Sequence, residues 1–280
     1  YPAGRNLIEV AAYISMFPQL IAGPIVTFDE VQPRLRERKI SPANIENGLL
    51  LFVVGLVYKV MLANQIAALW NDVMVAGVMG INTATAWLGA WGYSMQIYFD
   101  FLGYSLMAIG MGYMLGFRFP KNFSNPYCAV SVTDFWRRWH ITLGRWFREY
   151  VYIPLGGNKK GKFRLVINIF IVWFLTGLWH GAAWNFIIWG MFFFILMMLE
   201  KFIYLRFLEK HPIIGHLYML IIIPVSWVIF NISNLGELKL YLLRMFGNHA
   251  VSGVPLGGME KFVSLFGKYW WMLAIRSEER

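Results

Sequence analysis

One histidine stands where this sequence is otherwise poorest in ionisable groups, and a second stands in its most basic stretch. His180 sits in TGLWHGAAWN, residues 176–185, inside a 35-residue run from Leu165 to Leu199 without a single Asp, Glu, Lys or Arg. His140 follows a tryptophan in SVTDFWRRWHITLGRW and is placed one turn before Gly144. An ionisable side chain in an apolar run is costly and is retained where it faces a cavity or a partner. A neutral imidazole in a dry pocket can take a proton from a hydroxyl, which is general-base chemistry. The competing reading of His180 is a core histidine that hydrogen-bonds a carbonyl, and from the residues alone both readings stay open. Gly177 and Gly181 thin the helix around the ring, and Trp179, Trp184 and Asn185 are candidates to line a pocket beside it. Asp100, in QIYFDFLGYS, has the same ambiguity between polar brace and pocket residue.

Other chemistry is excluded more simply. Two histidines forty residues apart give no metal-ligand spacing, there is no HExxH, and the single Cys128 allows neither an intramolecular disulfide nor a thiolate zinc site, so no metal is expected. Neither a nucleophile elbow nor a nucleotide-binding fingerprint occurs, and the glycines and lysines of PLGGNKKGK fit a solvated turn.

These residues must be positioned by helices in a bilayer. Of 280 residues, 58% are hydrophobic and 14% charged, too few charges for the surface of a soluble domain of this size. The expected fold is therefore all-α, a single multi-spanning membrane domain over residues 1–280 with re-entrant and interfacial helices. The net charge of +10 is concentrated: residues 118–164 hold ten Lys/Arg against two acids. Between membrane spans that bias marks the cytoplasmic side, and nucleic-acid binding is not expected. Residues 7–26 are broken by Pro18 and Gly23-Pro24 and predict a bent segment, 27–46 a cytoplasmic loop, and 47–70 a span with Lys59 as its one charge. The turn near Asn71–Asp72 is then external, and 84–117 predict a tilted span plus a shorter helix. As one helix, 165–199 would measure about 52 Å against a hydrocarbon core of about 30 Å. It must turn back, and Gly181 is the expected hinge. Residues 201–211 read as interfacial and 213–231 as a further span. Ser131 and Asp134 match a capping box, and Trp136, Trp139, Leu143, Trp146, Phe147 and Tyr150 recur at helical spacing opposite Arg137, Arg138, Arg145 and Arg148. That pattern predicts one amphipathic interface helix over 130–150.

FPQLIAGPI (17–25), QIYFDFLGYSLMAIG (96–110), NFSNPYCAVSVTDFWRRWHITLGRWFREYVYIPLGGNKKGK (122–162) and TGLWHGAAWNFIIWG (176–190) together resemble the membrane-bound O-acyltransferase family. YIPLGGN and GLWHGA are most similar to its alginate O-acetyltransferase branch. The resemblance implies a helical domain around a central funnel, with the main catalytic histidine at His180 and the second at His140. Asp100, Trp139, Trp179, Asn185 and Arg137 are the further pocket candidates. Many members carry a small polar residue at Leu102 and Asp at Leu106, while Asp100 and Tyr104 are retained. The resemblance also implies that spans precede the first of these motifs.

The implied activity is acyl transfer from a cytoplasmic thioester, with acetyl-CoA as donor substrate and no bound cofactor, toward hydroxyls of an exopolysaccharide or cell-wall glycan. It implies a bacterial plasma-membrane location and a separate extracytoplasmic SGNH-type acetyltransferase or polysaccharide machinery as partner. D-alanyl transfer to teichoic acid is the alternative within the class. A transporter using the same cavity, or a scaffold, are alternatives outside it.

Overall fold

The computed structural model describes residues 6–20, 23–75, 77–247 and 257–273, and among these all regular secondary structure is helical. The N-terminal segment is broken as expected: α1 (Leu7–Ile14) stops before Pro18, which falls in the first turn of α2 (Phe17–Leu20). Helix α3 (Phe28–Arg36) returns across α1, tied by Arg36 Nε to Glu9 Oε1 at 2.5 Å and Gln32 Nε2 to Glu9 Oε2 at 2.9 Å.

Helix α4 (Pro42–Val57) opens on the Ser41 N-cap and Pro42, passes through a π-helical turn at Tyr58–Ala63, and continues as α5 (Asn64–Met74). The expected span thus extends to 33 residues. Helix α6 (Thr83–Met114) runs antiparallel to it. The sequence predicts a break over 84–117, but α6 is uninterrupted for 32 residues, about 48 Å at ~1.5 Å per residue. Its glycines do not break the helix because they are packing surface. A Cβ on Gly110 would lie 2.4 Å from the carbonyl oxygen of Gly48, and one on Gly103 2.7 Å from that of Gly55. The pairs are spaced seven residues apart on both helices, so the two backbones touch along one seam, the close approach by which membrane helices gain packing. Gly116, at φ 81°, ends α6 with a Phe117 N–H to Gly112 carbonyl bond.

Helices α7 (Val132–Arg138) and α8 (Ile141–Phe147) follow, with a π-helical turn at Arg148–Tyr152. The predicted interface helix is therefore divided at Trp139 and His140. In a continuous helix Ile141 N–H and Thr142 N–H would donate to the carbonyls of Arg137 and Arg138. Instead Ile141 N–H donates to Asn122 O at 2.9 Å, Thr142 N–H to Asn122 Oδ1 at 3.3 Å, and the Arg138 carbonyl accepts from Ser124 N–H at 2.9 Å. The 122–124 loop outcompetes the helical ladder.

Helix α9 (Gly161–His180) ends where the length argument placed the hinge. Gly181 has φ 155°, and α10 (Trp184–Leu199) packs back along α9. A Cβ on Gly190 would stand 2.4 Å from the Trp173 carbonyl oxygen, so this hairpin also has glycine at its contact. The segment read as interfacial, 201–211, instead prolongs α10 through a π-helical turn at Glu200–Tyr204 into α11 (Leu205–Lys210). Buried Glu200 explains the continuation: its carboxylate accepts from Val132 N–H (2.6 Å), Thr133 N–H (2.9 Å) and Thr133 Oγ1 (2.8 Å), capping α7. Helices α12 (Pro212–Asn231), α13 (Leu235–Phe246) and α14 (Met259–Leu273) complete the described chain.

Pro42–Met74, Gly161–His180, Trp184–Lys210 and Pro212–Asn231 are each long and apolar enough to cross a bilayer. Their outward faces keep large apolar side chains exposed, among them Leu50, Phe170, Ile195 and Leu217, as a lipid solvent requires. The chain is an all-α, multi-pass membrane protein. Its interior is aromatic: Trp189, Trp227, Phe99, Phe123, Phe135 and Phe193 are fully buried between α6, α7, α10 and α12.

Candidate active site

His140 is the residue at which the α7–α8 connection turns. Trp139 is extended and His140 adopts the left-handed region (φ 45°, ψ 51°), a backbone state that costs about 1 kcal/mol or more outside glycine. Buried Asn122 holds it there. Its Oδ1 accepts from Thr142 N–H (3.3 Å) and Thr142 Oγ1 (2.9 Å) and contacts His140 Nδ1 at 3.1 Å, while Nδ2 donates to Ser105 Oγ of α6 at 3.0 Å. The Thr142 hydroxyl accepts from Ile25 N–H at 2.9 Å, which leaves its own proton for Asn122. A carbonyl oxygen only accepts, so the His140 proton sits on Nδ1 and the lone pair on Nε2.

His180 arrives from the opposite side, at the last residue of α9. No hydrogen bond to its ring occurs among the described residues. It is instead boxed by ring edges, with centroids of Trp179, Trp189 and Phe230 at 4.9, 5.0 and 5.0 Å. The two imidazoles line one cavity of about 230 Å³, with Asp100, Tyr104, Trp189 and Trp227 among its other walls. Asp100 is paired within the membrane region: Lys59 Nζ lies 2.6 Å from Asp100 Oδ1 and 5.3 Å from the centroid of Tyr104. The π-helical turn at Tyr58–Ala63 carries this lysine, a placement π-bulges often serve at functional sites.

A second cavity of about 550 Å³ opens beside the first and shares Trp136, His140 and Leu143 with it. One wall is apolar, from Ile169, Val172, Trp173 and Met197, and its rim is basic, with Arg137, Arg145, Arg148 and Lys201. Arg145 is committed to Glu30 (2.6 Å) and the Ile25 carbonyl, whereas Arg137, Arg148 and Lys201 form no ion pair among the described residues. His140 thus stands at the junction of a basic chamber and an aromatic one.

The sequence-derived residues separate on this geometry. His140, His180, Asp100 and Trp139 come together around the first cavity, and Arg137 lines the second. Asn185 does not line the pocket; buried, it donates through Nδ2 to the Phe230 carbonyl at 2.6 Å and braces α10 against α12. Trp179 is 54% exposed and Trp184 70%, so both turn largely outward, although the Trp179 ring touches His180 and stands 6.1 Å from His140. Sequence reading overlooked Asn122, Thr142 and Ser105, which carry no charge or periodic signal. In the sequence Lys59 stands out only as a lone charge in an apolar span, and the fold supplies Asp100 as its partner.

A model of the membrane-bound O-acyltransferase family matches residues 4–241. The chain is 41% identical over 247 residues to a probable alginate O-acetylase of Pseudomonas putida, covering 88% of this chain and 50% of that protein. It is 37% identical over 268 residues to a peptidoglycan O-acetyltransferase of Helicobacter pylori, with 93% and 50% covered. A teichoic acid D-alanyltransferase of Bacillus subtilis is 31% identical over 206 residues, covering 68% of this chain and 50% of that protein. The chain spans about half the length of these curated relatives.

Proposed function

Because this chain belongs to the membrane-bound O-acyltransferase family, we propose that it serves O-acetylation at a bacterial plasma membrane, moving acetyl from a cytoplasmic thioester toward hydroxyls of an exopolysaccharide or cell-wall glycan. The observation that carries this reading is the single cavity holding both His140 and His180, joined at His140 to a basic-rimmed chamber. The donor, acetyl-CoA or another acetyl thioester, enters from the basic chamber. Arg137, Arg148 and Lys201 attract its phosphates, and the apolar wall takes its thioester arm.

In the aromatic cavity His180 accepts the proton of the attacking hydroxyl as its oxygen bonds to the thioester carbonyl carbon. The tetrahedral intermediate collapses, the carbon–sulfur bond breaks, and the proton passes from His180 to the departing thiolate. His140, fixed by Asn122, presents Nε2 as an acceptor that positions the reactive groups at the junction. The aromatic walls exclude water, which would otherwise hydrolyse the thioester.

An extracytoplasmic SGNH-type acetyltransferase or polysaccharide machinery would take the acyl group onward. The similarity to a teichoic acid D-alanyltransferase favours D-alanyl transfer as the second reading. Mild base release from the envelope of cells expressing the full-length protein separates them. Acetate that disappears with the His180→Ala variant supports the first reading, and D-alanine in its place overturns it. A transporter would use the cavity without consuming acyl thioester, so thioester turnover by purified full-length protein opposes that alternative.

A further inference from the structure

A third cavity, of about 230 Å³, lies apart from the two above and shares no lining residue with them. It forms where the C-terminal end of α3, the start of α4 and the C-terminal end of α6 meet. Arg34, Glu37, Lys39, Asn44, Tyr113 and Arg118 supply its polar lining. Three cations against one carboxylate leave a net of two positive charges, and none of Arg34, Lys39, Arg118 or Glu37 forms an ion pair among the described residues. Nearby Arg38 stands over the ring of Phe117, itself part of the lining, at 5.5 Å from its centroid. The protein has therefore gathered like charges around a concavity and left them unneutralised, which repels unless an anion fills it.

The position of the cavity selects the anion. Pro42 begins the first spanning helix at its edge, so the cavity sits at the depth of lipid headgroups, on the side that the positive-inside rule makes cytoplasmic. From it, Ile45, Leu49 and Val53 run along α4 at four-residue spacing, 48%, 53% and 46% exposed, a continuous apolar stripe leading into the bilayer. A phosphate with an acyl chain below it matches both features, whereas a free phosphate matches only the first. Basic pockets between helices on this side of a membrane are suited to anionic headgroups.

We propose that this cavity binds the phosphodiester headgroup of an anionic phospholipid, with an acyl chain laid along Ile45, Leu49 and Val53. Binding would clamp α3 to the ends of the α4–α6 pair. The site is independent of the acyl-transfer chemistry, so its test does not depend on that assignment.

Purified full-length protein is exchanged into mixed vesicle lipid, and retained phosphatidylglycerol and phosphatidylethanolamine are counted by native mass spectrometry. The expected result is preferential retention of phosphatidylglycerol. The Arg34→Gln/Lys39→Gln/Arg118→Gln variant should retain it about a hundredfold more weakly, at roughly one surface-cation contribution per residue removed. Lys159→Gln/Lys160→Gln/Lys162→Gln removes equal charge from the same side of the membrane and should leave retention intact. Arg118→Gln alone, an exposed single change, should give an intermediate loss even if the triple variant folds poorly. Equal retention of both lipids, or an unchanged phosphatidylglycerol count in both Arg118 variants, would overturn the proposal. So would displacement of the lipid by millimolar inorganic phosphate, which would identify a free-anion site.

Discussion

Replacing Asn122 by Ala tests the structural basis of the site most severely per atom removed. Its side chain makes four hydrogen bonds in a buried setting: to His140 Nδ1, Thr142 N–H, Thr142 Oγ1 and Ser105 Oγ. At about 1 kcal/mol net for each, with further cost for donors left unsatisfied, the loss is about 4 kcal/mol, near the top of the range for single substitutions. The same change frees the imidazole to rotate and exchange tautomers, so Nε2 no longer faces the cavity in a fixed state. Acyl transfer by the full-length protein should fall about 10- to 100-fold even at temperatures where the variant stays folded, the cost of losing the group that orients a functional imidazole. Thermal unfolding of the purified protein measures the first effect and thioester turnover at low temperature the second. Asn122→Asp keeps the one acceptor oxygen that serves His140 and Thr142 and replaces the amide donor by a second oxygen, to which the Ser105 hydroxyl can donate in turn, so it should recover most of the stability. The reasoning is refuted if Asn122→Ala unfolds and turns over like the unaltered protein, or if the Asp variant is as damaged as the Ala variant.

Three further outcomes follow from the packing. Lys59→Met should destabilise by about 1–2 kcal/mol. This is less than a fully buried pair would cost, because the two side chains keep 24% and 31% exposure, and the exchange Lys59→Asp/Asp100→Lys should restore part of the loss on a denaturation curve. Gly110→Leu should separate α4 from α6 at a cost of about 3 kcal/mol or more, seen as reduced yield of folded protein, since even a Cβ would stand 2.4 Å from the Gly48 carbonyl oxygen. Glu200→Ala removes three accepted hydrogen bonds from the start of α7 and should cost about 3 kcal/mol in thermal stability, with Glu200→Gln intermediate because one amide position still accepts.

The hairpin at Gly181 was readable from length alone, since 35 uncharged residues cannot cross a bilayer once as a straight helix. The division of the basic segment at His140 was not. The aromatic period from Trp136 to Tyr150 runs through the break without a fault, and the groups that break the helix come from Asn122, eighteen residues upstream. The uncharged Asn122 gives composition nothing to detect. Lys59 and Asp100 were each visible as solitary charges in apolar sequence, yet their pairing depends on the helical seam that sets α4 against α6. Asn185 shows the converse failure: polarity near His180 marked it for the pocket, but sequence carries no side-chain direction, and the amide points to the Phe230 carbonyl. The continuation of α10 into α11 was hidden because Glu200 and Lys201 look like an interfacial boundary until α7 is seen above the carboxylate.

The central claim is that His180 performs acyl transfer from the cavity it shares with His140. The most direct measurement is ester-linked acetate on the envelope glycan of cells whose only copy of the full-length protein carries His180→Ala, with membrane abundance of the protein measured in parallel. The account predicts normal abundance and acetate reduced about 10²- to 10⁴-fold, the contribution of a positioned general base. Undiminished acetylation at normal abundance would contradict it.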